Sequence, residues 1–160
     1  MDTSPLRQSI RALVDAAGLV TAAGEPKGPP PPGEWDADQI LAHVSLVNAM
    51  TLAAAHAVAA GARPSYDNRI AQDRWTIDTT VDSAGGTEGL CARLRNQADA
   101  LGMLGDALLS QRDLDTRVPT LLVSNDVVMV DQPLPLRDLI VGLAEQEIPG
   151  HTRQLLALLD

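Results

Sequence analysis

The stretch AEQEIPGHTRQLLALL, residues 144–159, sets a carboxylate, an imidazole and an amide among leucines at helical spacing. Glu147 and His151 stand one helical turn apart, so on a helix both side chains reach the same face, as two ligands of one ion must. Advancing about 100° per residue from Leu136, the apolar stripe carries Ile140, Leu143 and Leu158 within about 40° of zero. Glu147 falls at about 20° and Gln154 at about 0°, with His151 near about 60°, while Glu145 lies at about 180° on the solvated side. A carboxylate placed in a core stripe must be paired, protonated or bound to a cation, because desolvating it alone is costly. Gln154 is placed to orient the histidine or to complete the ligand shell.

A third donor comes from the helix predicted after Asp36. With Ile40 as zero, Val44, Val47, Thr51 and Val58 mark its buried stripe, His43 falls near about −60° and His56 near about 160°. His43 therefore faces the core edge and His56 faces water. Met50 shares the His43 edge two turns on and is expected to line a cavity beside the site. Two histidines and one carboxylate form a set that holds zinc or iron with open positions. Each feature also has a plainer reading. His43 alone would be a satisfied core histidine, and the Glu147/His151 pair would be an ion pair bridging helices. Pro149 removes the hydrogen bond its amide would give Glu145; it is either a tolerated surface kink or a bend that brings Glu147 and His151 together.

The elements that position these residues follow from periodicity and breakers. Residues 4 to about 23 carry Leu6, Ile10, Leu13, Val14 and Leu19 at helical spacing. GEPKGPPPPGEW stops that helix with a polyproline connector. Trp35 staples the next start to the core, Asp36 caps it, and the helix runs to Gly61. Residues 62–86 read as polar and irregular. A third helix spans about Thr87 to Ser110 on Leu90, Leu94, Leu101, Leu104 and Leu108, and the runs TLLV and VVMV around Ser-Asn-Asp read as a hairpin. The last helix starts near Leu136. The expected fold is all-α: one domain over residues 1–160, an antiparallel four-helix bundle with a small β-hairpin insertion before the last helix.

Composition narrows the function. Twenty-one acidic against twelve basic residues give a formal charge of −9, and two Trp, one Tyr and no Phe leave no stacking platform, so nucleic acid is not an expected partner. The lone Cys91 cannot form an internal disulfide and reads as a small core residue in a reduced compartment; the absence of a signal pattern adds to the expectation of a cytoplasmic protein. Residues 42–62 are long and nearly uncharged, but their many alanines with His43, Asn48 and His56 make a poor membrane span, so no membrane is expected either. No nucleophile elbow, phosphate loop or dinucleotide fingerprint is present.

The stretches EWDADQILAHVSLVNAM and LPLRDLIVGLAEQEIPGHTRQLLALL resemble the DinB-like metalloproteins, a family that includes the N-terminal domain of mycothiol-dependent maleylpyruvate isomerases. The shared pattern is a Trp and acidic cap before a helix with a histidine two turns in, and a last helix in which two histidines four apart are followed three residues later by Gln. The resemblance implies an antiparallel four-helix bundle, frequently dimeric, holding a divalent metal, commonly nickel or zinc, by three side chains and water. It also implies activation of a low-molecular-weight thiol at that metal for transfer or isomerisation, with a small-molecule thiol or acid as ligand. His43 matches the second-helix histidine and His151 the last histidine; Glu147 stands where histidine is more common. The alternative is a non-catalytic bundle, dimerising or binding a small ligand on a degenerate metal site.

The site's free positions need an irregular wall for access. The expected pocket lies beside His43 and Met50, bordered by residues 62–86 rather than by the hairpin turn at Ser124–Asp126, with Tyr66, Arg69, Arg74 and Trp75 supplying aromatic surface and positive charge. The plainer reading is that this segment covers the core, with Trp75 as its plug.

Overall fold

A computed structural model describes residues 1–24 and 34–159. The proline-rich part of the connector expected after the first helix lies outside the described residues. The chain is mainly helical with a small sheet. Helix α1 (Ser4–Ala23) buries Leu6, Ile10, Leu13, Val14 and Val20 in one stripe and ends before Gly24, whose φ of +87° suits glycine. Leu19, expected in that stripe, points to solvent at 57% exposure. Helix α2 (Ala37–Ala59) opens on a complete capping box: Asp36 accepts from the Gln39 amide at 2.8 Å, and the Gln39 side chain accepts from the Asp36 amide at 3.3 Å. It is buried on several sides, from Ile40 and Leu41 to Ala55 and Val58, because α3, α4, the 3-10 turn that follows β1 and the last helix pack around it. By length and apolarity alone α2 could cross a membrane; its burial inside the fold matches a core helix.

The segment 62–86 is more regular than its sequence suggested. Strand β1 (Tyr66–Asp67) leads into a 3-10 turn (Asn68–Gln72) and then helix α3 (Arg74–Ala84). Asp73 caps α3 by accepting from the Thr76 amide and hydroxyl, and Gly85 ends it at φ +78°. Only Ile77 and Thr80 of this helix are buried, which is too few apolar positions to print a period. Helix α4 (Thr87–Met103) buries Leu90, Leu94 and Leu101, then widens into a π-helical turn (Leu104–Leu108). The expected stripe fails at Leu108, 64% exposed, because the wide turn has rotated it off the core face.

After the short α5 (Gln111–Leu114) and β2 (Arg117–Val118), the expected hairpin forms from β3 (Thr120–Ser124) and β4 (Val127–Asp131). Asn125 and Asp126 take φ of 48° and 61°, the left-handed pair that a tight two-residue hairpin turn needs. The sheet is larger than a hairpin, since β1 pairs parallel to β3. Strand β5 (Leu134–Pro135) pairs with β2 and delivers the chain to the last helix.

That helix begins at Leu136 as expected but is not continuous. Helix α6 (Leu136–Gly142) passes into a π-helical turn (Leu143–Glu147) before α7 (Ile148–Leu156), and the Ile148 amide donates to the Leu143 carbonyl five residues back. One residue too many in a turn delays the helical phase by about 100°. The buried positions accordingly pass from Leu136, Ile140 and Leu143 to Ile148 and Leu155, which a straight helix would put at about 120° and about 100°. Glu147, His151 and Gln154 are therefore not at the centre of the buried stripe. They lie along its edge, half-buried.

Candidate metal centre

His43 is 3% exposed, and its Nδ1 lies 2.7 Å from the Ala71 carbonyl in the 3-10 turn. A carbonyl only accepts, so Nδ1 carries the hydrogen and Nε2 is the nitrogen turned to the last helix. There Glu147 Oε1 lies 3.0 Å from His43 Nε2 and 3.4 Å from His151 Nε2. His151 Nδ1 in turn lies 2.9 Å from Gln154 Oε1, so Gln154 orients the second ring as the Ala71 carbonyl orients the first. The donor atoms of His43, Glu147 and His151 all lie within 4.8 Å of one another, the one such group of three found among the described residues.

The sequence placed these three on core faces, and the structure brings them together. The His43 and His151 rings have centroids 4.7 Å apart, and Trp35 covers both, at 4.7 Å from His43 and 6.2 Å from His151. Burial works against the charge on Glu147, but where the rings are protonated, hydrogen bonds from His151 and His43, and their charge, outweigh it and hold its carboxyl far below the usual carboxylate range.

The donor set fits a cation on one specific ground. With Nδ1–H committed to Ala71, a neutral His43 directs the lone pair of Nε2 at a carboxylate oxygen 3.0 Å away. Two lone pairs at that distance repel unless a proton or a metal ion lies between them. The two carboxylate–imidazole separations, 3.0 and 3.4 Å, also bracket the roughly 3.3 Å between ligands of a tetrahedral zinc with bonds of about 2.0–2.1 Å.

A cavity of about 600 Å³ opens in front of the three donors, bounded by Trp35, Gln72, Ser124 and Asn125 among others. Residues 62–86 supply part of its wall, through Asn68 and Gln72, but the hairpin turn supplies another part, contrary to the sequence expectation. The reason is the bond pattern at Val123. Asn68 donates to the Val123 carbonyl at 3.0 Å and accepts from the Val123 amide at 2.8 Å, and Gln72 donates to the same carbonyl, which draws the hairpin tip over the site.

Two expected pocket residues lie elsewhere. Met50 does not line this cavity: it packs half-buried against the core, seven residues and thus about 10 Å along α2 from His43. Trp75 sits in the first turn of α3 at 74% exposure, neither pocket wall nor plug. Arg69 and Arg74 pair with Asp67 and Asp78, so their charge is spent locally. Tyr66 is buried, with its hydroxyl 3.0 Å from Thr51 Oγ1. His56 is exposed, as the wheel required. Sequence reasoning missed Trp35, Asn68 and Gln72 as site residues. Trp35 was read as a staple, and its position just before the cap of the helix that bears His43 was the available signal.

No protein-family model, curated protein or solved structure matches this chain.

Proposed function

We propose that this chain is a divalent-metal protein of the DinB-like kind, an antiparallel four-helix bundle built on α1, α2, α4 and the last helix. His43, Glu147 and His151 hold zinc or nickel, and the protein works on a small thiol or acid, as a homodimer. The observation that carries the reading is the His43 tautomer: Nδ1 hydrogen-bonded to Ala71 aims the Nε2 lone pair at Glu147 Oε1, 3.0 Å away, where a cation relieves the repulsion. A bound divalent ion would supply Lewis acidity, lowering the pKa of a thiol. The chain's own residues supply the rest. Gln154 and the Ala71 carbonyl fix the two rings, Trp35 shields one side of the donors from water, and Gln72 and the Ser124–Asn125 turn border the opening for a small polar ligand.

A second reading rests on the same distances. The 3.0 and 3.4 Å contacts are also those of a carboxylate between two imidazolium rings, a closed ion-pair cluster in a bundle that binds ligands without catalysis. Elemental analysis of protein purified without a histidine tag or chelator, followed by calorimetric titration with zinc and nickel, separates the two. One tightly bound equivalent that weakens sharply in both His43→Ala and His151→Ala supports the metal site. No uptake at one equivalent rejects it in favour of the ion-pair cluster.

A further inference from the structure

Behind the polar cavity lies a second one of about 470 Å³, between the sheet and the last helix. The two share Asn68, Val123, Ser124 and Glu147 as common wall. The second is mostly, not wholly, apolar: Val47, Leu122, Met129, Leu134, Leu139 and Leu143 line it, with Asp138 and Gln146 also in its wall. Gly142 completes its wall from the last turn of α6.

That glycine has no evident structural need. Its φ of −59° and ψ of −40° are ordinary helical values open to any residue, and a Cβ added there meets nothing within 4 Å. Glycine inside a helix costs about 1 kcal/mol relative to alanine. What a larger side chain would fill at this position is the apolar cavity itself.

We propose that this compartment binds the apolar tail, aliphatic or aromatic, of a ligand whose polar head lies at His43, Glu147 and His151. This rests on the reading of those three residues as the head-binding site and adds the substrate class: an amphipathic molecule with an uncharged hydrocarbon body, not a small hydrophilic thiol or acid alone. Met129, 66% exposed on β4, forms the rim, where its flexible thioether adapts to tails of different shape. Glu147, lining both cavities, marks the junction of head and tail.

Two probe series test the tail and the head separately. In metal-free protein with labelled methionine methyl groups, 1-octanol and 1-butanol are titrated while the Met129 signal is followed. Burial of four further methylenes raises affinity on the order of a hundredfold, and Gly142→Leu, which fills the compartment, removes that gain while leaving the helical circular dichroism unchanged. An unresponsive Met129, equal affinities for the two alcohols, or a Gly142→Leu variant that keeps its octanol affinity overturns the compartment. In zinc-loaded protein, octanohydroxamate is compared with acetohydroxamate. The longer probe, with six further methylenes, gains on the order of a thousandfold in the parent and nothing in Gly142→Leu, with acetohydroxamate bound equally by both. Octanol binding with neither zinc nor hydroxamate binding keeps the compartment and rejects the metal reading.

Discussion

Asn68 and Val123 are joined by two hydrogen bonds, of 3.0 and 2.8 Å, in which the asparagine side chain takes the place of a strand backbone. They fall where the β3–β4 register shifts, between Leu122 and Val123. A bulge leaves strand groups unpaired, and here one side chain satisfies both a donor and an acceptor. The pairing also ties the hairpin to the turn that carries Ala71, hence to the ring orientation of His43.

Asn68→Ala is therefore expected to destabilise the fold by about 1–3 kcal/mol, since it strands the Val123 amide where water has only partial access and leaves the Val123 carbonyl to Gln72 alone. It should also weaken metal binding by loosening the support of His43. Denaturant midpoints with and without zinc measure both; a stable variant with unchanged zinc affinity would show that the clasp supports neither.

Glu147→Leu should leave the metal-free fold intact or slightly more stable, because it replaces a half-buried carboxylate with an apolar side chain of similar size. Zinc affinity should fall at least about a hundredfold, in line with losing one of three ligands. A large drop in the melting temperature of the metal-free variant would mean instead that the carboxylate holds the helices together.

Acid supplies an independent check on the same residue. The folded-state pKa of Glu147 is held below the ordinary 4.5, so its contribution to stability is present above that pH and is lost as pH falls below it. Metal-free protein should lose stability progressively below about pH 4.5, with a shallower slope in Glu147→Leu. Parallel slopes for the two proteins would place the acid sensitivity elsewhere.

Tyr66, the sole tyrosine of the chain, makes an alkaline probe. Burial pushes its pKa up from 10.0 to about 12, against the opposing hydrogen bond to Thr51. Because the folded value is the higher one, stability is intact below pH 10 and declines between pH 10 and about 12, by up to about 3 kcal/mol. Tyr66→Phe should abolish this decline, at the cost near neutrality of about 1 kcal/mol for the lost hydrogen bond. Phenolate absorbance appearing near pH 10 in a still-folded protein would contradict the burial.

The two tryptophans report separately on the site. Nickel binding should quench Trp35, whose ring lies 4.7 Å from that of His43, and leave the exposed Trp75 unaltered. Single-tryptophan variants, Trp75→Phe and Trp35→Phe, resolve the two signals. Quenching confined to Trp75 would move the metal away from the three donors.

Much of this architecture could be read in the chain. The bounds of α1 and α2, the cap at Asp36, the hairpin turn and the start at Leu136 all follow from local signals, and those agree with the fold because each element buries a face that its own pattern declares. His43, Glu147 and His151 could be singled out for the same reason, as polar groups on or beside faces of apolar type. Helix α3 was hidden because a helix that buries two side chains has no period to show. Met50 and Trp75 were misplaced by reading pocket position from a shared helix edge and from nearness in sequence, neither of which fixes where a cavity lies. The cover that Trp35 forms over the histidines depends on packing between distant segments, which no local pattern encodes.

The widened turn at Leu143–Glu147 has a further consequence. A helix has something like a reading frame, and this one is shifted by a single residue partway along. Omit Ala144 and the sequence reads through in phase, with Ile148 and Leu155 brought to about 20° and about 0° of Leu136 in one unbroken apolar line. The hydrocarbon core would accept such a chain without the wide turn. The extra residue is therefore not needed for an unbroken apolar line, although Ala144 itself packs in the core. What it changes is the spacing of Glu147 from α6, so a widening that the apolar line does not require is what sets where the carboxylate stands relative to α6.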